Sequence, residues 1–288
     1  MLGFKNFAVV GAGLLGGPIT EELLKLRSNG AIGKVVLLTR PQSASKYESF
    51  AAQGATIVPV TDYHSTPEVS KALAGIDVVI STVGHAALFD VQVPIAKAAK
   101  EAGVQLFVPS EFASPTDNAT EGFFAAKAAL VKQIRDDVGI PTAVFFTGGF
   151  SDTIWGPFFD LDFKSGSVGV GGDGNAKASF TSRTDIARYV AYVLTALPPS
   201  ESKNKTFRIE GERASLNEIF AAYEKKYGVK LQVKYTSVEE LQKRVKENPQ
   251  DIVSFWQSVM ATGGSAVGSP LDNGLFPDWN PKPVIDFL

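Results

Sequence analysis

The chain has 288 residues, 44% of them hydrophobic and 20% charged, with 28 Lys and Arg against 30 Asp and Glu and no cysteine. This is the balance of a globular protein large enough to bury a sizeable core, in one large domain or two smaller ones. A formal charge of −2 excludes the basic footprint of a nucleic-acid binder and a polybasic membrane anchor. The missing thiol excludes disulfides, thiolate catalysis and cysteine-held zinc or iron–sulfur clusters.

The first apolar run, Phe7–Val10, closes at Gly11 and is too short for a signal peptide. No later run approaches the roughly 18 apolar residues that cross a bilayer. A soluble, cytoplasmic protein with no membrane partner is expected. Short β-branched runs then alternate with amphipathic stretches, the pattern of a parallel sheet flanked by helices. Strands are expected at Phe7–Val10, Lys34–Thr39, Thr56–Pro59, Asp77–Ser81, Gln105–Val108 and Thr142–Thr147. Helices are expected at Leu14–Ser28, Ser45–Gln53, Pro67–Ala74, Gln92–Ala102 and Glu121–Val138. Gly54, Gly75, Gly103 and Gly139 stand where left-handed helix C-caps belong. The order implies a doubly wound α/β fold of Rossmann type over residues 1–150.

The remainder, 151–288, is less regular and reads as a smaller α+β substrate lobe, packed on the first half with some exchange of chain. Gly166–Gly174 reads as a glycine-rich hairpin; it lacks the Gly-Lys-Ser/Thr ending of a phosphate loop. A helix follows over Arg183–Leu197, capped at Ser182 or Thr184 and stopped by Pro198-Pro199. Then come a strand (Thr206–Ile209), a helix (Ser215–Tyr227), a strand (Leu231–Tyr235) and a charged, solvated helix (Val238–Lys246). The tail Asn280–Leu288 is expected to dock through Val284, Phe287 and Leu288.

The most informative segment is Gly11-Ala12-Gly13-Leu14-Leu15-Gly16, a G-x-G-x-x-G between strand and helix. Gly11 permits a tight turn, Gly13 lets the backbone approach a pyrophosphate, and Gly16 lets helix and strand pack closely. The N–H groups of the helix start, through Leu14 and Leu15, face the anion. A carboxylate at the end of the second strand would select NAD by binding the ribose 2′-OH. Here Thr39 and Arg40 stand there, with Lys46 six residues on. A carboxylate would repel a 2′-phosphate, whereas Arg binds one with a forked pair of hydrogen bonds, so the cofactor is expected to be NADP(H). Thr82, Val83 and Gly84 end the fourth strand and should pass beside a cofactor ribose. Asp62 either faces the adenine or makes a turn. His64 and His85 read as surface residues, and with two histidines no metal site is expected.

The reaction site centres on Phe123-Phe124-Ala125-Ala126-Lys127. Short-chain dehydrogenases place Tyr and Lys four apart on one helix face. Here the Lys is present and Phe123 occupies the Tyr position, so Lys127 must do any proton work itself, directly or through water.

These segments, with Leu37–Arg40, Lys46–Phe50, Phe107–Phe112 (Phe-Val-Pro-Ser-Glu-Phe), Gly139–Thr142 and Leu275–Asp278, resemble the NmrA-like, isoflavone-reductase-like branch of the short-chain dehydrogenase superfamily. The likeness runs along almost the whole chain. That branch includes phenylcoumaran benzylic ether reductases, pinoresinol–lariciresinol reductases and eugenol synthases. The resemblance implies that Lys127 is catalytic and also cofactor-facing, that Arg40 reads the 2′-phosphate, and that the Gly149-Phe150 turn lies against the nicotinamide. It also implies a substrate pocket involving Ser110, Glu111, Phe123, Gly149 and Trp155. The aromatic run Phe145, Phe146, Phe150, Trp155, Phe158 and Phe159 would border it and suit a flat, small aromatic substrate. The chain departs from the plant reductases at Val10, at Ala113 and at Thr147–Phe150, near the substrate. The expected function is an NADPH-dependent reduction of a carbonyl, enone or quinone-methide-like carbon. The competing reading is a non-catalytic NADP(H)-sensing regulator, which the missing Tyr favours. Oligomeric assembly is left open.

Overall fold

The computed structural model describes residues 2–288. The first half runs β1 (Phe7–Val10), α1 (Gly16–Ser28), β2 (Val35–Thr39), α2 (Glu48–Ala52), β3 (Thr56–Pro59), α3 (Thr66–Ala72), β4 (Val78–Ser81), α4 (Leu88–Glu101), β5 (Leu106–Val108), α5 (Gly122–Lys132) and β6 (Ala143–Phe146). Five strands form one parallel sheet in the order β3-β2-β1-β4-β5. The order reverses beside β1, which opens a crevice at the strands' C-terminal ends.

Alternate residues of each strand face opposite layers. Phe7 and Val9 pack with Ile19 and Leu23 of α1, whereas Ala8 and Val10 pack with Val69 of α3 and Ile95 of α4. Both faces are therefore covered, as the continuously apolar strands require. Burying each large aliphatic side chain contributes about 1.5–3 kcal/mol. Gly54, Gly75, Gly103 and Gly139 all have positive φ at helix ends.

The second half supplies β7 (Gly149–Phe150), β8 (Leu161–Asp162), β9 (Ser167–Gly171), β10 (Lys177–Thr181), α6 (Arg183–Ala196), α7 (Pro199–Ser202), β11 (Lys205–Arg208), β12 (Glu212–Ser215), α8 (Leu216–Tyr227), β13 (Gln232–Thr236), α9 (Val238–Glu247) and α10 (Ile252–Ala261). Two of these cross back. Helix α6 puts Ile186, Val190 and Val193 into the core beneath α1, and β11 pairs in parallel with β6. The remaining strands form two small sheets, β12-β10-β7 and β13-β9-β8, over a separate core of Phe163, Phe180 and Phe220. In the tail, Val284 is buried in that core and Leu288 packs against it.

Four features differ from the sequence reading. Strand β6 meets β5 only at a single bridge, Phe107 with Thr142, because Pro109, the next donor along β5, has no N–H to continue the ladder. The expected helix at 45–53 begins as a 3-10 turn over Pro41–Tyr47, entered through the extended Arg40. The helix expected to reach 138 ends as α-helix at Lys132 and continues as a π-helical turn, Gln133–Val138. Glycine-rich 166–174 is not one hairpin: β9 pairs antiparallel with β8 and parallel with β13, and β10 joins the other sheet.

Candidate functional site

The glycine loop sits at the C-terminal end of β1. Gly11 has φ +82°, so the turn needs a residue without a Cβ. A Cβ on Gly16 would overlap the Gly11 carbonyl oxygen and the Thr82 hydroxyl. Thr82 donates to the Gly11 and Val10 carbonyls and so ties the end of β4 to the loop. Gly13 faces the other way: nothing lies within 4 Å of where its Cβ would stand. Helix α1 starts with no side-chain cap and no acidic residue in its first turn, which leaves its N–H groups and positive pole available. Leu14 beside it is 66% exposed. Val83 and Gly84 continue from β4 along the same edge, half-buried and exposed.

Arg40 and Lys46 are exposed beyond β2, and among the described residues neither forms an ion pair with a carboxylate. The Arg40 charge bears on half-buried Tyr63, whose hydroxyl is pushed up to about 12 chiefly by burial, with Arg40 opposing. The cradle fits a dinucleotide with a 2′-phosphate: open backbone donors at the loop and two unpaired cations beyond the second strand. Asp62 is not directed to such a ligand; its carboxylate accepts the His64 N–H at 2.8 Å and closes a turn. His64 pairs with Asp90 at the surface.

Lys127 lies on the buried face of α5, 5% exposed. Its Nζ stands 3.4 Å from Oε1 of Glu111, which is itself 1% exposed. The second Glu111 oxygen accepts the Thr116 hydroxyl at 2.9 Å. Burial pushes the Lys127 ammonium down from the usual lysine range, while the Glu111 charge opposes the shift. Burial likewise pushes the Glu111 carboxyl up, against Lys127 and Thr116. Such a pair is a poor source of stability, because desolvating two charges cancels most of their attraction. Its proton affinities are drawn toward each other, as a proton-transfer site requires.

The loop that follows Glu111 leads to a cleft of about 400 Å³ with almost wholly apolar walls, lined by Phe112, Ala113 and Ser114 but not by Lys127. Leu14 of the glycine loop and Phe150 line it too, with Ile154, Phe158, Phe159, Phe180, Trp256 and Met260. Gly149 and Phe150 line the cleft. Trp155 does not: it packs on Phe163 and Phe180 in the lobe core, and its Nε1 donates to the Ser151 carbonyl. Phe145 and Phe146 are core residues too, Phe145 stacking on Phe207 at 4.7 Å. Ser110, Glu111 and Phe123 are also absent from the cleft lining. The Ser110 hydroxyl donates to the Val83 carbonyl and fixes two strand ends together. Phe123 joins His85, Phe89, Phe124 and Phe255 in an aromatic cluster, with the Lys127 Nζ 5.9 Å from its ring centre.

A family model described as the NmrA-like family matches residues 5–273. The chain belongs to the NmrA-like family. It is 31% identical to the phenylcoumaran benzylic ether reductase IRL1 of Ginkgo biloba, covering 100% of this chain and 99% of that protein. The fold matches the leucoanthocyanidin reductase–NADPH complex of Vitis vinifera with a TM-score of 0.83, at 23% identity over 98% of this chain and 97% of that one. It matches AtPrR2 with NADP+ and (+)pinoresinol equally well, TM-score 0.83, at 22% identity over 99% of each chain.

Several residues of this NmrA-like site escape sequence reasoning. Arg183, first residue of α6, pairs with Asp152 at 2.8 Å and donates to the Leu14 carbonyl, joining the glycine loop to the Phe150 loop. Helix α10 supplies Phe255 and Trp256, with its polar residues Ser254, Gln257 and Ser258 together on one face. Thr116 carries no motif at all.

Proposed function

We propose that the protein is an NADPH-dependent reductase of a small aromatic substrate, delivering hydride to a carbonyl, enone or quinone-methide-like carbon. The buried Lys127–Glu111 pair, followed in the chain by residues that line an apolar cleft shared with Leu14 of the glycine loop, carries this reading. Two relatives support the class: one named a phenylcoumaran benzylic ether reductase, the other holding NADP+ and pinoresinol. Residues 1–150 supply the cofactor half and 151–288 the substrate lobe.

The residues divide the work as follows. The Gly11–Gly16 loop and the α1 N-terminus hold the pyrophosphate, and Arg40 with Lys46 holds the 2′-phosphate. Thr82, Val83 and Gly84 line the ribose side, and Phe150 walls the site toward the lobe. Bound NADPH supplies the hydride. The apolar cleft excludes water and takes flat rings against Phe112, Phe158 and Trp256. Lys127 Nζ holds a proton for the oxygen on which charge develops; its lowered proton affinity makes it a stronger acid than an exposed lysine. Phe123 has no proton to give, so the tyrosine step of other short-chain dehydrogenases is absent here.

The test is an NADPH-oxidation screen against phenylcoumarans, aromatic enones, quinones and aldehydes, with NADPH binding measured in parallel. Oxidation with at least one aromatic class is expected. Tight NADPH binding without oxidation of any would contradict the proposal and favour the cofactor-sensing regulator.

A further inference from the structure

A second cleft, of about 430 Å³, lies on the other side of the loop that carries Glu111. It is lined by Thr116, Asp117, Lys132, Arg135 and Lys205, among others, and shares no lining residue with the apolar cleft. The loop is the partition. Phe112, Ala113 and Ser114 face the apolar cleft, and Thr116 and Asp117 face the second. Glu111 is buried at the start of the loop with one oxygen toward Lys127 and the other on the Thr116 hydroxyl.

We propose that Glu111 and Thr116 form a proton-return path, carrying protons from water in the second cleft to Lys127 while the substrate cleft is closed by its ligands. The inference rests on the reductase reading. Lys127 loses one proton to the reduced product. The Glu111 carboxylate takes a proton at Oε2 from the Thr116 hydroxyl, turns to bring it to the Lys127 side, hands it to the amine and is a carboxylate again. Thr116 takes one from water in the second cleft. The sum is one solvent proton delivered per turnover, with no oxidant or reductant beyond the cofactor. Burial raises the proton affinity of Glu111, which suits a group that takes up a proton and passes it on. The charges facing it are Lys127 on α5 and Asp117, the latter held by Arg208 of β11. An apolar cleft filled by substrate and cofactor offers no water of its own, so the amine needs a supply from behind. Glu111 and Thr116 are positioning residues: they act through Lys127.

The experiment compares Thr116→Val and Thr116→Ser with the parent in single and multiple turnover, in H₂O and D₂O. In Thr116→Val the first turnover keeps its rate, and steady-state turnover falls by about a hundredfold, the lower end of a proton-transfer contribution. Its solvent isotope effect rises, and Thr116→Ser restores both. Equal steady-state rates in Thr116→Val and parent would overturn the path, as would an equal slowing of the first turnover. A readout without turnover separates this from the reductase reading. Deuterium exchange of the Lys127 ammonium, followed by NMR with Lys127→Met as blank, slows in Thr116→Val. Unchanged exchange would overturn the path even if reduction is confirmed, and slowed exchange would uphold the path's connection to solvent even if no substrate is reduced.

Discussion

Lys127 stands under two opposing influences, burial that lowers its proton affinity and the Glu111 carboxyl that raises it, and burial is the larger. A lysine acting as an acid works only while protonated. Turnover is therefore expected to fall as pH rises through a midpoint below the usual lysine range. Glu111→Gln removes the opposing charge, so that limb should move to still lower pH. A pH–rate profile of parent and variant checks both signs; a midpoint moving upward in Glu111→Gln would contradict the assignment. Arg40 allows a second expectation. A hydrogen bond to a charged group contributes about 1.5–3 kcal/mol, so Arg40→Ser should weaken NADPH binding by about 10- to 100-fold. NADH binding should change little, and fluorescence titration with both cofactors distinguishes the two. Equal loss for both would mean that Arg40 serves the fold.

At the scale of elements, the β1–turn–α1 unit was readable because each glycine has a separate steric duty. Gly16 is the strictest, since a Cβ there meets the Gly11 carbonyl and Thr82. Gly16→Ala is expected to cost about 1–3 kcal/mol, the usual penalty of an overpacked site, and to weaken NADPH binding. A denaturant melt and a cofactor titration measure the two effects; an unperturbed variant would mean that the loop is not held as described. The strands of the first half were legible for the same local reason: they are apolar on both faces and closed by glycine C-caps. Helix α10 was not legible, because its polar residues Ser254, Gln257 and Ser258 share the face that holds its one fully buried residue, Ser254, the reverse of the usual apolar-inward pattern. The small strands β7, β8 and β12 were missed because two to four residues carry no period. Lys127 could be picked out from its place four residues after Phe123, but its partner Glu111 was assigned to the substrate. Nothing in sequence tells a carboxylate buried behind a cleft from one that lines it. Trp155 failed similarly, since an aromatic residue suits a lobe core and a cleft wall alike.

At the scale of the molecule, β11 and α6 from the second half of the chain come back to β6 and to the core beneath α1. The glycine loop and the Phe150 loop are joined through Arg183 and Asp152, so a ligand that binds the loop braces both. At a hundred times its dissociation constant NADPH should stabilise the fold by about 2.7 kcal/mol, raising the melting temperature by about 5 °C. NADH at the same concentration should do less, and thermal melts with each cofactor test this. The central claim is that Lys127 supplies the proton of an NADPH-dependent reduction, and its most direct test is NADPH oxidation by parent and Lys127→Met. NADPH binding is titrated in both to show that the variant folds. The account predicts undiminished binding and a turnover lower by about 10²-fold or more in the variant. Full turnover in Lys127→Met, or tight NADPH binding by the parent with no oxidation of any aromatic acceptor, would contradict it.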